Sequence, residues 1–255
     1  MNRLQDKVAV VTGASSGVGN AICRLFAAEG AKVVMLARRA ERLQKTVEEI
    51  EKAGGIAVAV PGSVCNQEDV ENALNVTIEK FGKVDIVVND AGIVNYNHGI
   101  KDVPDDDCYK LFETNAMGTM RMMREAMKYM LPAGKGTFVA IGSVGGLMGH
   151  AGVAYALSKG AMVNLARQVA VDYHLEGIRS NAVCPDGIIT DLCKNEDGTW
   201  KEQDPHTVAA TTKHFCEGTA YCTPEQVAQV ALFLASDESI AINGQCIVVD
   251  HGGNL

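Results

Sequence analysis

Seven short apolar runs, set between stretches of helical period, constrain this chain more than any other feature. They read KVAVVT (7–12), KVVMLA (32–37), IAVAV (56–60), DIVVN (85–89), GTFVAIG (136–142), SNAVC (180–184) and QCIVV (245–249). Hydrophobicity inside them is continuous rather than alternating, which marks strands covered on both faces. The stretches 17–30, 40–55, 67–82, 115–131, 153–177 and 223–236 carry the helical period, and several stop at glycine (Gly30, Gly54, Gly82, Gly177). Strand, helix, strand repeated in this way predicts an α/β chain with a doubly wound parallel sheet of about seven strands, whose ligand sits at the carboxyl ends of the strands.

The chain is long enough, at 255 residues, to bury one such sheet as a single domain, 1–255, and no linker or low-complexity segment divides it. Only residues 186–222 break the pattern: polar, acidic and too long for an ordinary connection, they predict a substrate lid. With 47% hydrophobic and 21% charged residues, no run approaches the roughly 18 apolar residues needed to cross a bilayer. A formal net charge of −8 with no basic block disfavours nucleic acid and anionic membrane as partners and leaves a small-molecule substrate. The polar start, Met1 to Lys7, lacks the apolar segment of a secretory signal, and eight scattered cysteines fit reduced thiols, so a cytoplasmic setting is expected.

TGASSGVG, Thr12 to Gly19, follows the first strand and opens the first helix. Glycine there permits a tight turn and close backbone approach to a pyrophosphate, and the helix N-terminus offers unpaired N–H groups with a positive dipole. A dinucleotide is the expected occupant, which makes the fold Rossmann-type. An NAD-preferring site needs a carboxylate at the end of the second strand to accept from the ribose hydroxyls. Ala37 stands there, followed by Arg38 and Arg39, whose guanidinium forks suit a 2′-phosphate. NADP(H) is therefore favoured, with NAD(H) the alternative.

A second signal is HAGVAYALSKGAM, 150–162, where Tyr155 and Lys159 lie one helical turn apart on one face. Hydride transfer to a carbonyl needs an acid that protonates the nascent alkoxide, and a free phenol titrates near 10. A cation beside it stabilises phenolate, so Lys159 is expected to lower the pKa of Tyr155.

Taken in order, the motifs resemble the short-chain dehydrogenase/reductase family. Gly13, Gly17 and Gly19 are spaced as in its Thr-Gly-x-x-x-Gly-x-Gly pattern. NDAG (89–92) resembles its Asn-Asn-Ala-Gly, PDGIIT (185–190) its segment after strand six, and NGQCIVVDHGG (243–253) its last strand. The resemblance covers essentially the whole chain. It implies a nicotinamide cofactor held by Gly13, Ser15, Ser16, Gly17, Val18 and Gly19 of the glycine loop and by Arg38, Arg39, Ser63 and Val64 after strands two and three. Asn89, Ala91 and Gly92 after strand four, Pro185, Ile188 and Thr190 after strand six, and Tyr155 and Lys159 complete that set.

For catalysis it implies Tyr155 as acid and base, and Lys159 on the nicotinamide ribose. Ser143 resembles the serine that hydrogen-bonds the substrate oxygen, and Asn115, opening the helix 115–131, the asparagine that holds a relay water. Read without the resemblance, Asn115 is equally a helix N-cap and Ser143 a turn cap before Gly145 and Gly146. Family members usually form homodimers or homotetramers, here through helices 115–131 and 153–177.

Asp90, Ser63, Asp186 and His251 depart from the family pattern, where asparagine, aspartate, glycine and glycine are common. His206, His214, Cys216 and Cys222 match no standard zinc spacing, so no metal is expected. The methionines of 117–130 read as core or subunit-interface packing. The resemblance implies that specificity resides in the strand-ends and lid, here Gly145 to Ala151 and Asp186 to Cys222, and the lid's Trp200, Val208, Phe215 and Tyr221 favour a hydroxysteroid or bile acid. The alternatives are a 3-oxoacyl thioester, a sugar or polyol, or a non-catalytic dinucleotide sensor on the same fold.

Overall fold

The computed structural model describes residues 2–95, 97–194, 199 and 201–254. Every apolar run of the sequence is a strand: β1 Val8–Thr12, β2 Lys32–Ala37, β3 Ile56–Pro61, β4 Ile86–Asn89, β5 Gly136–Ile141, β6 Ile178–Pro185 and β7 Cys246–Val249. They form one sheet in the order β3-β2-β1-β4-β5-β6-β7, every neighbouring pair parallel. Strand order reverses between β1 and β4, and that switch point opens the crevice in which such sheets bind ligands.

The reason the runs are continuously apolar is visible in β1. Ala9 and Val11 point into one hydrophobic core with Phe26, Leu43 and Leu232, while Val10 points into the other with Leu74, Met122 and Phe138. Helices α1 (Gly17–Ala28), α2 (Ala40–Lys52) and α9 (Pro224–Ala235) cover the first face; α3 (Gln67–Phe81), α5 (Gly118–Met130) and α7 (Val153–Tyr173) cover the second. Phe138 is fully buried, and its truncation to alanine costs about 3–5 kcal/mol. Met122, Met123 and Met130 lie in this second core, so much of the methionine stripe is packing.

One helix starts elsewhere than the sequence suggests. Pro104 caps a helical turn, α4 (Asp105–Leu111), which runs through a π-helical turn, Phe112–Met117, into α5. Asn115 is thus neither a helix start nor an N-cap; it sits in the π turn, fully buried. The inserted residue breaks the 3.6-residue period, which is why apolar spacing reveals only the part after it. Three aspartates in the first turn of α4, Asp105 to Asp107, are the start signal that was available.

The lid is partly ordered by its own caps. Thr190 accepts from Leu192 N at the 3₁₀ turn Asp191–Cys193, and Asp204 caps α8 (Pro205–Thr211), which has proline in its first turn. Trp200 lies outside the described residues. A short helix, α6 (Val144–Met148), follows β5 and was masked in sequence by its glycines.

Candidate active site

The cofactor cradle is built by backbone. Gly13 has φ +69, and a Cβ there would stand 2.8 Å from Ala91 N. A Cβ on Gly19 would lie 2.6 Å from Asp90 Oδ2 and 2.8 Å from the Gly13 carbonyl. Thr12 Oγ1 accepts from both Asp90 N and Ala91 N at 3.1 Å, tying the loop after β4 to the end of β1. Ser16, at the N-cap of α1, makes no side-chain cap, and the first turn holds no acid, so the helix leaves N–H groups for an anion. This donor set and its close backbone fit the pyrophosphate of a dinucleotide.

Beside the glycine loop, a cavity of about 190 Å³ takes Arg38, Arg39, Ser63, Val64, Ala91 and Gly92 among its walls. Arg39 donates to Ser15 Oγ at 3.0 and 2.9 Å and to Ser16 Oγ at 2.6 Å, so the loop serines orient it. A lid carboxylate lies beside this arginine: Asp191 pairs with Arg42 and lies 3.9 Å from Arg39. Ser63 turns its hydroxyl to Cys65 N at 3.2 Å, and its own N–H donates to Asp69 at 2.8 Å. Asn89 is buried at the end of β4, and neither side-chain polar atom has a partner among the described residues.

On the other side of the switch point, a cavity of about 290 Å³ brings Gly13, Gly17, Val18, Gly92, Pro185, Ile188 and Thr190 to the same cleft as Ser143, Tyr155 and Lys159. Ser143 ends β5 and caps α6, accepting from Gly145 N at 3.1 Å, and it also hydrogen-bonds the Tyr155 phenol. Turn cap and phenol partner are therefore one side chain in two roles. Lys159, on the next turn of α7, is buried with its ammonium 5.9 Å from the Tyr155 ring centre. It donates to the Ile141 carbonyl at 2.7 Å.

The side chain of Asn115 is fully engaged. Its Oδ1 accepts from Ile93 N at 2.8 Å, and its Nδ2 donates to Ile93 O at 3.1 Å and Ser158 Oγ at 2.9 Å. Ser158 in turn donates to the Tyr155 carbonyl at 2.9 Å. The π turn thus clamps the loop after β4 to the helix that carries the tyrosine.

The electrostatics correct one expectation. Burial pushes the Tyr155 phenol up to about 12, with the Ser143 hydrogen bond acting against it. Lys159 does not lower it, because its ammonium is aimed at the Ile141 carbonyl rather than at the phenol oxygen. Burial also lowers the pKa of Lys159, and the Asp90 carboxylate opposes that. Asp90 itself is raised to about 6 by burial, with Lys159 and a 2.8 Å hydrogen bond from Gly19 N pulling the other way. In sequence Asp90 was only a departure from a motif; its structural partner is seventy-one positions away.

Two further residues at the cleft, His150 and Asn254, were given no role by the sequence, and His214 was read there only as a non-ligand. His150 and Asn254 join at 2.8 Å, Asn254 also donates to Asp186 at 2.9 Å, and His214 stacks on His150 with ring centres 5.3 Å apart. Asp186, another departure, thus has a structural partner on the last turn of the chain. Among the described residues no group of three or more His, Cys, Asp or Glu converges as a metal site, and no helix is long and apolar enough to cross a membrane. All eight cysteines are free thiols.

Comparison with known proteins agrees with this geometry. A family model described as enoyl-(acyl carrier protein) reductase matches residues 13–254. The chain is 35% identical over 268 residues to a 3beta-hydroxysteroid dehydrogenase of Mediterraneibacter gnavus, spanning 99% of this chain and 96% of that protein. It is 36% identical over 251 residues to a meso-2,3-butanediol dehydrogenase of Serratia marcescens, spanning 98% and 95%. Among solved structures, a dehydrogenase/reductase from Sinorhizobium meliloti 1021 is similar with a TM-score of 0.85 at 31% identity, over 99% of this chain and 96% of that one.

Proposed function

The chain belongs to the short-chain dehydrogenase/reductase family, as an NAD(P)-dependent enzyme of secondary alcohols and ketones, and within that class we propose that it works with NADP(H) on a hydroxysteroid. The observation that carries the reaction is the hydrogen bond between Ser143 and Tyr155 in the cleft, with the Lys159 ammonium near the same ring. The cofactor preference rests on Arg38 and Arg39 in place of a β2 carboxylate. The substrate rests on the long lid and on the similarity to a 3beta-hydroxysteroid dehydrogenase.

When bound, the nicotinamide supplies or accepts a hydride at the substrate carbon. In the direction of reduction, Ser143 and Tyr155 donate hydrogen bonds to the substrate oxygen, where negative charge develops. Tyr155, a phenol that is protonated at neutral pH and that burial holds further in that form, then gives its O–H proton to the nascent alkoxide. The phenolate left behind keeps the Ser143 hydrogen bond, which is what favours it in this site. Asn115 and Ser158 hold that turn against the loop after β4, so the donors stay aligned. Oxidation of the alcohol runs the same steps backwards.

Loss of NADPH absorbance on mixing enzyme with a 3-ketosteroid tests the reading, with NADH as comparison cofactor and acetoin, the ketone that corresponds to 2,3-butanediol, as comparison substrate. Turnover of the steroid with NADPH at least tenfold above NADH in kcat/KM is expected. Preference for NADH would reject the arginine argument, and turnover of acetoin alone would reject the steroid. Exposed Tyr109, Phe112 and Leu157 on α4, the π turn and α7 support self-association through that face, which light scattering reads directly. The free thiols support a reducing cytosol as its setting.

A further inference from the structure

Past Ser143 and Tyr155 the cleft widens into an outer chamber of about 530 Å³. The two spaces share His150, Asp186, Gly187, Ile188, Cys193 and Gln203, so a long substrate can reach from the reacting carbon into the outer one. One wall of the outer chamber is apolar, with Ile189, Phe215 and Tyr221. Its other wall is a hydrogen-bonded set that ends in a carboxylate.

Asn254 organises that wall. Its Nδ2 donates to Asp186 Oδ2 at 2.9 Å and to Asp250 Oδ2 at 3.1 Å, and its Oδ1 meets His150 Nδ1 at 2.8 Å. Both amide protons are thereby given to carboxylates, so the amide oxygen accepts from His150 Nδ1, which leaves Nε2 of that ring turned away from the amide. Asp186 faces the chamber with a second carboxylate, Asp250, bound to the same amide. No lysine or arginine lines the outer chamber among the described residues, Lys159 being confined to the inner cleft, and the sequence of 195–198 and 200 contains none. Lys201, on the lid, turns to the Val94 carbonyl at 3.5 Å. The wall offers carboxylate acceptors and, among the described residues, no lysine or arginine to meet an anion.

We propose that Asp186, fixed by Asn254, makes the outer chamber select substrates whose far end is uncharged and carries a hydroxyl, and reject those that end in a carboxylate. A hydroxyl donates to Asp186, whereas a carboxylate meets like charge in a partly desolvated space. The inference rests on the steroid reading and narrows it, setting neutral ring alcohols ahead of ring systems with an acidic side chain.

The test uses the full chain with NADPH and two 3-ketosteroids of the same ring system, one with a hydroxyl and one with a carboxylate at the far end. Wild type is expected to favour the hydroxyl compound by about tenfold or more in kcat/KM. In Asp186→Asn that ratio falls toward unity, chiefly through a lower KM for the acid, and Asp186→Lys reverses it. A second measurement needs no variant: raising the ionic strength lowers the wild-type KM for the acid and leaves that of the alcohol in place. Equal kcat/KM for the two compounds in wild type, or a ratio unmoved by Asp186→Asn and by salt, overturns the inference alone. Turnover of neither steroid removes the steroid reading and this inference with it.

Discussion

Asn115 and Lys159, on the floor of the cleft, are buried to within a few per cent of their surface, whereas among the described residues of 186–222, which form its roof, Cys222 alone is buried. The floor side chains are tied to backbone and to one another: Lys159 to Ile141, Asn115 to Ile93 and Ser158, Ser143 to Gly145 and Tyr155. The roof hangs on a few polar links, such as Cys222 N to Gly187 O at 3.0 Å, Cys216 N to Gly253 O at 2.9 Å and the Asp191 pair with Arg42. Proton transfer needs donors held to fractions of an ångström, and burial supplies that. Choosing among substrates needs a wall that can be rebuilt, and exposed polar ties permit it.

The largest expected effect lies on the floor. Tyr155→Phe removes the proton and keeps the ring, so kcat/KM should fall about a thousandfold while the melting temperature stays within a few degrees. Stopped-flow or steady-state reduction of the best ketone checks it. Activity retained within tenfold would mean that another group supplies the proton, and the contrast between floor and roof would lose its catalytic meaning.

Next comes Asp90, a floor carboxylate that burial penalises. Its folded pKa of about 6 lies above the model-peptide value near 4, so the folded state binds a proton more tightly than the unfolded chain. Its contribution is therefore unfavourable above pH 6 and fades as pH falls through the window from 6 to 4. Asp90→Asn keeps an acceptor for Gly19 N and removes the charge. The variant should gain up to about 3 kcal/mol over wild type at pH 7.5, and the gain should vanish near pH 4. Urea midpoints at the two pH values measure it. An equal difference at both would assign the change to packing instead.

The same division governs what could be read before the structure. Strands such as β2, Lys32–Ala37, were legible to the residue because burial on both faces writes an unbroken apolar run. Tyr155 and Lys159 were legible because their spacing is local. The start of α4 was hidden by the π turn, which shifts the period, although Pro104 and the aspartates after it mark the place. The direction of the Tyr155 shift was misjudged because a sequence displays a neighbouring charge but not the desolvation that outweighs it. Asp186 stood out as unusual, yet its meaning depends on Asn254, sixty-eight positions on, and no local pattern carries such a pairing.

A smaller effect is expected where the floor meets the adenosine side. Ala37→Asp restores a carboxylate at the end of β2, where it would accept from ribose hydroxyls and repel a 2′-phosphate. The KM for NADPH should rise about tenfold or more, and that for NADH should fall or stay level. An equal rise in both would show that the substitution merely disturbs the strand end.

The smallest effect belongs to the roof, at Asp191. Its partners Arg42 and Arg39 are about half exposed, so the ion pairs contribute at most about 1 kcal/mol, and Asp191→Ala should leave the unfolding midpoint almost unchanged. The variant nevertheless removes a negative charge 3.9 Å from Arg39, the guanidinium that Ser15 and Ser16 hold beside the glycine loop. A cofactor with a 2′-phosphate competes with Asp191 for that cation, and one without it does not. Binding titrations should therefore find NADPH tightened about two- to threefold and NADH unmoved. If both cofactors gained equally, Asp191 would be acting as a mechanical tie on the lid. Roof and floor would then be coupled through position, and charge would carry no part of the connection.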